Sequence, residues 1–383
     1  MLATAPPPPT DRHALIAQAR RALLLDGAAA PTEVEPWIAR SWRRCLDRGL
    51  NPAQPVVFDA VSAAALRRSQ DQHHDFLRAA RPVLGQLSRA IAGMHYFAML
   101  TDARGLVVDV QGPLDRGDSR AEAIGRLGID LSEAAVGTTA IGAALAELQP
   151  VWLHRGEHFL DGNGHYSCAG APLFSPDGQC MGMLDLTGVD VPERPELRHL
   201  VARSARAIED AVLLQRPHAL LLRLNWPGCT LGGEGDGLLT LDAAGCIMGS
   251  NSIARQLLPH PLRTSADAPV HCGDLMALPW TQLFDAARLR STGAPLDIPL
   301  WSGLRLHGRA HLPEGIGARI MPARPAPAPT SAVATAPLRE AETALIRQAV
   351  QDARGNVAEA ARSLGISRAT VYRKLGARRP RPD

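Results

Sequence analysis

The stretch GNVAEAARSLGISRATVYRKL, residues 355–375, has the pattern of two short helices joined by a turn. Asn356 followed three residues later by Glu359 forms a capping box, which satisfies free backbone N–H groups at a helix start. Apolar residues at helical spacing give this first helix one buried face: Val357, Ala360, Ala361 and Leu364. Gly365 ends the helix, since glycine tolerates a left-handed backbone. Ser367 then caps a second helix.

The second helix separates an apolar inner face from a polar outer face. Val371 and Leu375 lie inside, and the outer residues are Ser367, Arg368, Thr370, Tyr372, Arg373 and Lys374. Residues 338–383 carry ten basic and five acidic residues, a net charge of +5, whereas the whole chain carries +3. A local basic excess is what binding to DNA phosphates requires. The pattern therefore predicts a helix-turn-helix with double-stranded DNA as its partner, rather than an ordinary helical hairpin.

The segment GISRATVYRKL, residues 365–375, resembles the turn and recognition helix of the Fis family, and residues 338–354 resemble its dimerising helix. The resemblance implies a homodimer that places two recognition helices in successive major grooves. By position, the outer residues named above would face DNA. Arg368 is the candidate for base recognition, because a guanidinium can bind guanine O6 and N7 together. Arg373 and Lys374 are expected to hold phosphates.

The composition indicates two or three domains, since 383 residues with 46% hydrophobic content can form several cores. There is no apolar run of about 18 residues, and the first residues lack a signal-peptide pattern. The six cysteines form no CxxC motif and no disulfide framework. We therefore expect a cytoplasmic protein without a membrane span.

Hydrophobic patterning predicts an α+β chain in five regions. An N-terminal helical segment at 1–60 precedes an α+β region at 61–216, and a smaller α+β region follows at 230–322. A Pro/Ala linker at 323–337 then leads to the all-α DNA-binding region at 338–383. Within these regions the pattern predicts a hairpin at 95–110, strands at 150–154, 166–174, 180–188 and 318–322, and a long helix at 196–215.

Two stretches in the first α+β region resemble the GAF-type sensor of acetoin-catabolism regulators: LSEAAVGTTAIGAALAE at 131–147 and EHFLDGNGHYSCAGAPLFSPDGQCMGMLDLTG at 157–188. Residues 36–52 resemble that family's N-terminal helix, and residues 237–258 resemble its PAS-like segment. The resemblance implies a small-molecule effector. Thr139 stands where the family usually has Asn, and Ala143 where it has Thr, which puts the family's effector specificity in doubt here.

A group of imidazoles and a thiol, His154, His158, His165 and Cys168, allows three interpretations. These residues could be polar groups satisfied near a loop, contacts to a small molecule, or ligands of a metal or haem; the spacing fits no zinc finger. The resemblance places Glu157, His158 and Cys168 at the effector-facing wall. His95 and Thr139 complete the candidate effector residues. No metal or cofactor is predicted.

Two further patterns have structural interpretations. Trp37, Trp42 and Cys45 form a stripe at helical spacing, which predicts a packing face. Asn251 follows a predicted strand and precedes a short helical pattern, so we expect it to cap or bridge backbone groups.

The ATPase that usually lies between sensor and helix-turn-helix in this family has no counterpart in the sequence. Its Walker A motif, GxxxxGK[ST], needs a lysine that binds the nucleotide phosphates. The single lysine of this chain is Lys374, and the GAFTGA loop that contacts sigma-54 polymerase is missing as well. The sequence therefore predicts no ATP hydrolysis and no sigma-54 activation. Regulation would proceed by recruiting RNA polymerase or by blocking it.

The resulting hypothesis is a non-enzymatic, ligand-responsive bacterial transcription regulator. The alternative is a GAF-type thiol enzyme, with Cys168 or Cys180 as nucleophile and the other as a resolving partner, or a redox sensor that uses Cys168. A constitutive DNA-binding protein with a degenerate sensor is a third hypothesis.

Overall fold

The computed structural model describes residues 12–24, 33–258, 270–289 and 295–313, together with Val350 and Val357. The chain divides into two compact units, Met1–Ala323 and Arg324–Asp383. Apart from Val350 and Val357, the predicted DNA-binding region, with all six of its DNA-facing side chains, lies outside the described residues, as do the predicted linker and the strand predicted at 318–322.

The first sheet is five-stranded and antiparallel throughout. Its strands are β1 (Tyr96–Asp102), β2 (Val107–Gln111), β3 (Val151–His154), β4 (Tyr166–Phe174) and β5 (Cys180–Val189), in the order β2-β1-β5-β4-β3. Eight helices accompany it: α1 (Arg12–Leu24), α2 (Pro36–Asp47), α3 (Ala63–Gln72), α4 (His74–Ile91), α5 (Ser119–Ile124), α6 (Glu133–Val136), α7 (Ala140–Glu147) and α8 (Leu197–Gln215). Short 3₁₀ turns at Arg155–Glu157 and Asp161–Asn163 join β3 to β4.

This sheet is covered on both faces, which explains why β4 and β5 consist almost entirely of buried residues. Alternate residues of a strand point to opposite faces. Ala169 and Leu184 therefore contribute to the core beneath α4 and α8, whereas Cys168 and Met183 contribute to the core beneath α1, α2 and α7. We call the latter the inner face. Trp37, Trp42 and Cys45 are buried in its core, which confirms the predicted packing stripe.

The second sheet is also five-stranded and antiparallel. Its strands are β6 (Leu220–Asn225), β7 (Gly237–Leu241), β8 (Ile247–Ser250), β9 (Leu296–Pro299) and β10 (Arg305–His311), in the order β8-β7-β6-β10-β9. Helices α9 (Ser252–Leu257) and α10 (Thr281–Arg288) cover one face, where Leu220, Leu222 and Leu224 of β6 enter the core. The α+β class predicted from the sequence is confirmed.

Most strands and helices lie where the sequence predicts them. The hairpin β1–β2 turns at Asp102–Gly105, and the long helix α8 follows β5 as expected. Three of these described strands and helices were not predicted: α5, β6 and α10. The segment LLLRLN of β6 is a short apolar run, which periodicity cannot assign to a strand or a helix. Only its neighbours β7 and β10 establish it as the central strand.

Among the helices within these described ranges, no helix is both long and apolar enough to cross a membrane.

Replacement of Gly182 by alanine is expected to destabilise the first sheet. A Cβ at Gly182 would lie 2.0 Å from the backbone oxygen of Thr101 on β1, which cannot move without breaking the strand pairing. We expect Gly182→Ala to lower the free energy of unfolding by about 1–3 kcal/mol or more, measured by chemical denaturation. Gly93→Ala is the control, because a Cβ there has no atom within 4 Å. Equal effects of the two substitutions would contradict this packing argument.

Candidate functional site

Helix α2 is held against α6 by a buried carboxylate. Glu133 accepts hydrogen bonds from Arg44 at 2.8 Å from Nε and 2.7 Å from Nη2, and from Arg48 at 3.2 Å. The Ser41 hydroxyl donates to the same carboxylate. Arg44 also reaches Glu147 of α7 at 2.8 Å, and its pKa is raised by these carboxylate hydrogen bonds. A buried charge with this many partners is satisfied, so it fixes α2 on the inner face.

Helix α1 closes over the 3₁₀ turn after β3. Arg20 donates to the backbone oxygens of Gly156 at 3.1 Å and Phe159 at 3.0 Å, and also to that of His158. Arg12 donates to the carboxylate of Glu157 at 2.6 Å. These contacts tie α1 to the segment in which the sequence placed the effector-facing wall.

Glu157 serves as an attachment point for both N-terminal helices. Its carboxylate accepts from Arg12 and from the backbone N–H of His154 at 2.7 Å, and its backbone oxygen accepts from Trp42 Nε1 at 2.8 Å. Burial raises the pKa of Glu157 to about 7, although the Arg12 charge opposes the shift. Both carboxylate oxygens are engaged with protein groups, so the side chain has little capacity left for a ligand.

His158 presents one unpartnered nitrogen inside the protein. Its Nδ1 lies 2.9 Å from the backbone oxygen of Arg155, so Nδ1 carries the proton and donates. Burial lowers the pKa of His158 to about 4, and the ring is therefore neutral at pH 7. Its Nε2 is buried and has no hydrogen-bond partner in the described part of the chain. The ring lies edge-on to Tyr166 of β4, with 6.4 Å between ring centroids. His158 thus offers a hydrogen-bond acceptor at the inner face.

A polar stripe crosses the inner face on β4 and β5. The Cys168 thiol is 3.3 Å from the Thr187 hydroxyl, and that hydroxyl donates to Asp185 Oδ2 at 2.6 Å. Asp185 lies opposite Gly170 of β4 and Met99 of β1, in the middle of the sheet. The stripe is therefore surrounded by backbone and apolar side chains.

Asp185 is the least satisfied polar residue of the stripe. It is only 1% exposed, and its Oδ1 has no hydrogen-bond partner among the residues that the structure describes. Burial raises the pKa of Asp185 to about 7, while the Thr187 hydrogen bond opposes the shift. Buried polar atoms without partners are rare in folded proteins, because each costs about 1–3 kcal/mol. An unpartnered carboxyl oxygen therefore marks the inner face as a candidate binding site.

The remaining candidate effector residues have other positions. Thr139 is the N-cap of α7: its hydroxyl accepts from Gly142 N at 3.1 Å and donates to Leu131 O at 3.3 Å. His95 is exposed in the turn before β1, with a positive φ of 58°. The structure brings His158 and Cys168 to the inner face and leaves His95 apart from them.

The four residues of the His/Cys group do not lie together in the structure. His165 is exposed, with Nδ1 3.2 Å from Asp190, while His154 is buried and stacks on Trp152 at 5.8 Å between centroids. Burial lowers the pKa of His154 to about 4. Among the described residues, no three His, Cys, Asp or Glu side chains are grouped so that they could hold a metal ion.

The environment of Cys168 does not support thiol chemistry. Burial raises the pKa of its thiol well above the ordinary value, with the Asp185 charge adding to the shift, so little thiolate forms. Cys168 pairs with Thr187, whereas Cys180 pairs with Phe174, six residues further along β4. Six residues of strand span about 20 Å, far beyond the reach of a disulfide. The thiol-enzyme alternative therefore lacks structural support.

The first sheet is joined to the second through the C-terminal half of α8. The buried carboxylate of Glu209 accepts from Phe174 N at 2.9 Å and from the Ser252 hydroxyl. Asp210 accepts from Asn251 Nδ2 at 2.8 Å. Asn251 Oδ1 also accepts from Ala254 N at 2.8 Å, which confirms the predicted cap. We call this set of contacts the α8 junction.

Several functional residues were missed in the sequence: Glu133, Arg44, Asp185 and Glu209. The partners of Glu133 on α2 lie 85 to 92 residues away in the chain, and local patterns carry no information about such pairs. Asp185 did leave a signal. It is the one charged residue in the apolar run CMGMLDLTG, residues 180–188, and a lone acid in a buried strand indicates a site rather than a solvated face.

Comparisons with known proteins agree with the two resemblances. Residues 9–210 match the family described as MimR, N-terminal domain, and residues 337–377 match bacterial regulatory protein, Fis family. The acetoin catabolism regulatory protein of Cupriavidus necator is 34% identical over 264 residues, covering 67% of this chain and 38% of the relative. The propane 2-monooxygenase operon transcriptional activator MimR of Mycolicibacterium goodii is 31% identical over 205 residues, 53% of this chain and 34% of the relative.

This chain therefore spans between 34% and 38% of the length of these two relatives. Among solved structures, the crystal structure of the E. coli DhaR(N)–DhaL complex covers 72% of this chain and 92% of its own, at 16% identity and a TM-score of 0.44. The predicted Fis-type helix-turn-helix and the predicted resemblance to acetoin-catabolism regulators are confirmed by the sequence matches.

The Asp185→Asn substitution is expected to stabilise the protein at high pH and not at low pH. Unfolded aspartate titrates near pH 4, whereas the folded pKa of Asp185 is about 7. The folded state thus retains a proton that the unfolded state has lost, and stability falls as the pH rises from about 4 to about 7. Asparagine has no carboxyl group to titrate, so the variant does not lose this stability as the pH rises. We expect a gain on the order of 3 kcal/mol at pH 8 that disappears near pH 4, measured by urea denaturation.

The matched control is Asp190→Asn, which alters an exposed carboxylate whose pKa is lowered by hydrogen bonds to His165 and Arg120. This variant should show no gain at pH 8. A pH-independent effect of Asp185→Asn would contradict the assigned burial cost.

Proposed function

Because the chain belongs to the family defined by the MimR N-terminal domain, we propose that it is a cytoplasmic, ligand-responsive DNA-binding regulator of transcription. A small effector binds at the inner face of the first sheet and changes the DNA binding of the Fis-type helix-turn-helix. The observation that carries the sensing part of this proposal is the unpartnered, fully buried Oδ1 of Asp185.

The polar groups at the inner face constrain the effector. His158 Nε2 is an acceptor, because Nδ1 donates to Arg155 O, and Asp185 Oδ1 accepts when the carboxyl is ionised. A ligand that satisfies such atoms must donate hydrogen bonds and must not carry a negative charge. Small neutral compounds with hydroxyl groups meet both conditions, and organic acids do not. The names of the two relatives refer to acetoin and to propane 2-monooxygenase. Both names are consistent with a family that responds to small neutral compounds.

Transmission to the rest of the chain uses the α8 junction. Glu209 on α8 accepts hydrogen bonds from the backbone N–H of Phe174, at the end of β4, and from the hydroxyl of Ser252, at the start of α9. A displacement of β4 by an effector would therefore reach α8 and the second sheet through one side chain. A coupling free energy of roughly 1–3 kcal/mol is enough for a usable switch.

DNA recognition follows the Fis pattern. The protein acts as a homodimer, and the second helix of each helix-turn-helix enters a major groove. Its outer residues contact DNA, namely Ser367, Arg368, Thr370, Tyr372, Arg373 and Lys374. Arg368 reads a base, while Arg373 and Lys374 bind phosphates.

The mode of regulation does not involve ATP hydrolysis. The sensor match ends at residue 210 and the Fis match begins at residue 337, and the described part of the intervening segment forms the second sheet with its two helices. The single lysine of the chain, Lys374, lies in the helix-turn-helix and is not available for a Walker A motif. The protein therefore acts by recruiting RNA polymerase or by occupying its site.

Arg368→Ala is expected to remove discrimination at one base position of the operator. The operator is first selected from random DNA with the purified full chain, and binding is then measured on that site and on single-base variants. The loss should be about 1–3 kcal/mol at one position, with a smaller effect on random DNA. Arg381→Ala, beyond the helix-turn-helix, should leave the base preference intact. An equal loss on operator and random DNA would show that Arg368 contacts only phosphate.

Asp185→Leu is expected to abolish the response to the effector. The full chain is screened by calorimetry and operator binding against small alcohols, diols and hydroxyketones, with the corresponding acids as comparison. We expect a hydroxyl compound to bind the wild type and change operator occupancy, and its affinity to fall at least about tenfold in Asp185→Leu, since a hydrogen bond to a charged group contributes about 1.5–3 kcal/mol. Asp190→Asn, an exposed site, should respond normally. If no compound binds the wild type, or if the leucine variant responds fully, the inner face is not the effector site.

A further inference from the structure

A second cleft lies on the face of the second sheet that α9 and α10 leave uncovered. It has a volume of about 510 Å³ and lies between the end of α8, the start of β6 and the end of β10. Its lining residues are Leu214, Gln215, Arg216, Pro217, His218, Leu221, Arg223, His311, Leu312 and Pro313. Two arginines and two histidines belong to this lining, and no acidic residue does. The cleft is thus suited to an anion.

The floor of the cleft places like charges side by side. In the antiparallel pairing of β6 with β10, Arg223 lies directly opposite Arg309. Like charges at opposed positions destabilise a sheet. Arg223 contacts the buried carboxylate of Asp236 through Nη1 at 3.3 Å, and Arg309 forms no ion pair within the ranges that the structure describes. An anion bound at Arg223 in the cleft would relieve this repulsion.

Arg216 at the rim is also able to receive an anion. Its Nη1 lies 3.1 Å from both carboxylate oxygens of Asp177, and both side chains are about 40% exposed. Exposed ion pairs of this kind contribute roughly 0–1 kcal/mol, because water and salt screen them. A ligand carboxylate can therefore compete for Arg216, and a guanidinium binds a carboxylate in a bidentate manner.

The walls of the cleft are apolar. Leu214 of α8, Leu221 of β6 and Leu312 after β10 line it together with two prolines. A bare inorganic anion would leave this surface unused, whereas a hydrocarbon body would bury it and gain about 25 cal/mol per Å². Cationic groups on the floor and rim, with apolar walls, match a molecule that has one anionic end and one apolar end.

We propose that this cleft binds a small organic carboxylate, with the carboxylate at Arg216 and Arg223 and the hydrocarbon part against the leucines. The site is separate from the inner face of the first sheet and takes a ligand of opposite character, since Asp185 excludes anions. Because the cleft is formed by α8 together with β6 and β10, a bound carboxylate holds the end of α8 against the second sheet. It therefore acts on the same α8 that carries Glu209 of the α8 junction.

Calorimetric titration of the full chain tests this site. The probes are benzoate and hexanoate, with benzamide and hexanamide as neutral counterparts and inorganic phosphate as a bare anion. We expect the carboxylates to bind with a Kd on the order of 1 mM or tighter, and the amides and phosphate to bind at least about tenfold more weakly. Arg216→Gln should weaken carboxylate binding about tenfold. Arg305→Gln is the matched control, since Arg305 lies on β10 outside the cleft and pairs with Asp297.

The remaining outcomes decide against the proposal. Equal binding of amides and carboxylates would remove the role of charge, and equal binding of phosphate would make this a general anion site. The same loss in Arg305→Gln and Arg216→Gln would show that net charge matters rather than position. Asp185→Leu should retain full carboxylate binding; a loss there would place the carboxylate at the inner face. Failure of the effector screen, in contrast, leaves this result unaffected.

Discussion

The exclusion of water from both faces of the first sheet is the constraint on which the other features depend. A strand that is buried on both sides can carry polar groups only if the protein supplies their partners. Along β4 and β5 nearly every position is occupied by a small or apolar residue, which needs no such partner for its side chain. The exceptions, Cys168, Thr187 and Asp185, form one connected stripe, and one oxygen of that stripe remains without a partner. This oxygen is the observation on which we base the proposed effector site.

The same constraint shapes the way in which the N-terminal helices close the inner face. Helices α1 and α2 bury large apolar side chains such as Trp42, but their positions are set by arginines that bind carboxylates and backbone oxygens. Guanidinium groups suit this task, because five donors in a planar fork can satisfy several oxygens at once. The cover over the inner face is therefore held by polar contacts in addition to apolar packing, whereas the apolar packing of α4 and α8 covers the opposite face.

Helix α8 takes part in both halves of the described structure. Its N-terminal half packs on the first sheet, and its C-terminal half meets β8 and α9. Gly249 shows how close this approach is, since a Cβ there would lie 2.8 Å from Leu213. Buried carboxylates at such a boundary are sensitive to small displacements, because a lost hydrogen bond leaves a charge in an apolar environment. Glu209 therefore links the two sheets directly through its hydrogen bonds to Phe174 and Ser252.

The sequence by itself determined the α+β class, most strands and helices, and the two family resemblances, because these depend on local periodicity, turn residues and short motifs. The net positive charge of residues 338–383 also follows from the sequence, because it requires only a count of basic and acidic residues. The tertiary structure decided which candidate residues meet. Glu157 holds α1 by accepting a hydrogen bond from Arg12, and His95 lies apart from the other candidate effector residues. Asp185 lies buried at the centre of the inner face. These outcomes depend on strand order and on contacts between residues far apart in the chain, such as Arg44 with Glu133. Local patterns do not encode such contacts, since they are fixed only when the whole core packs.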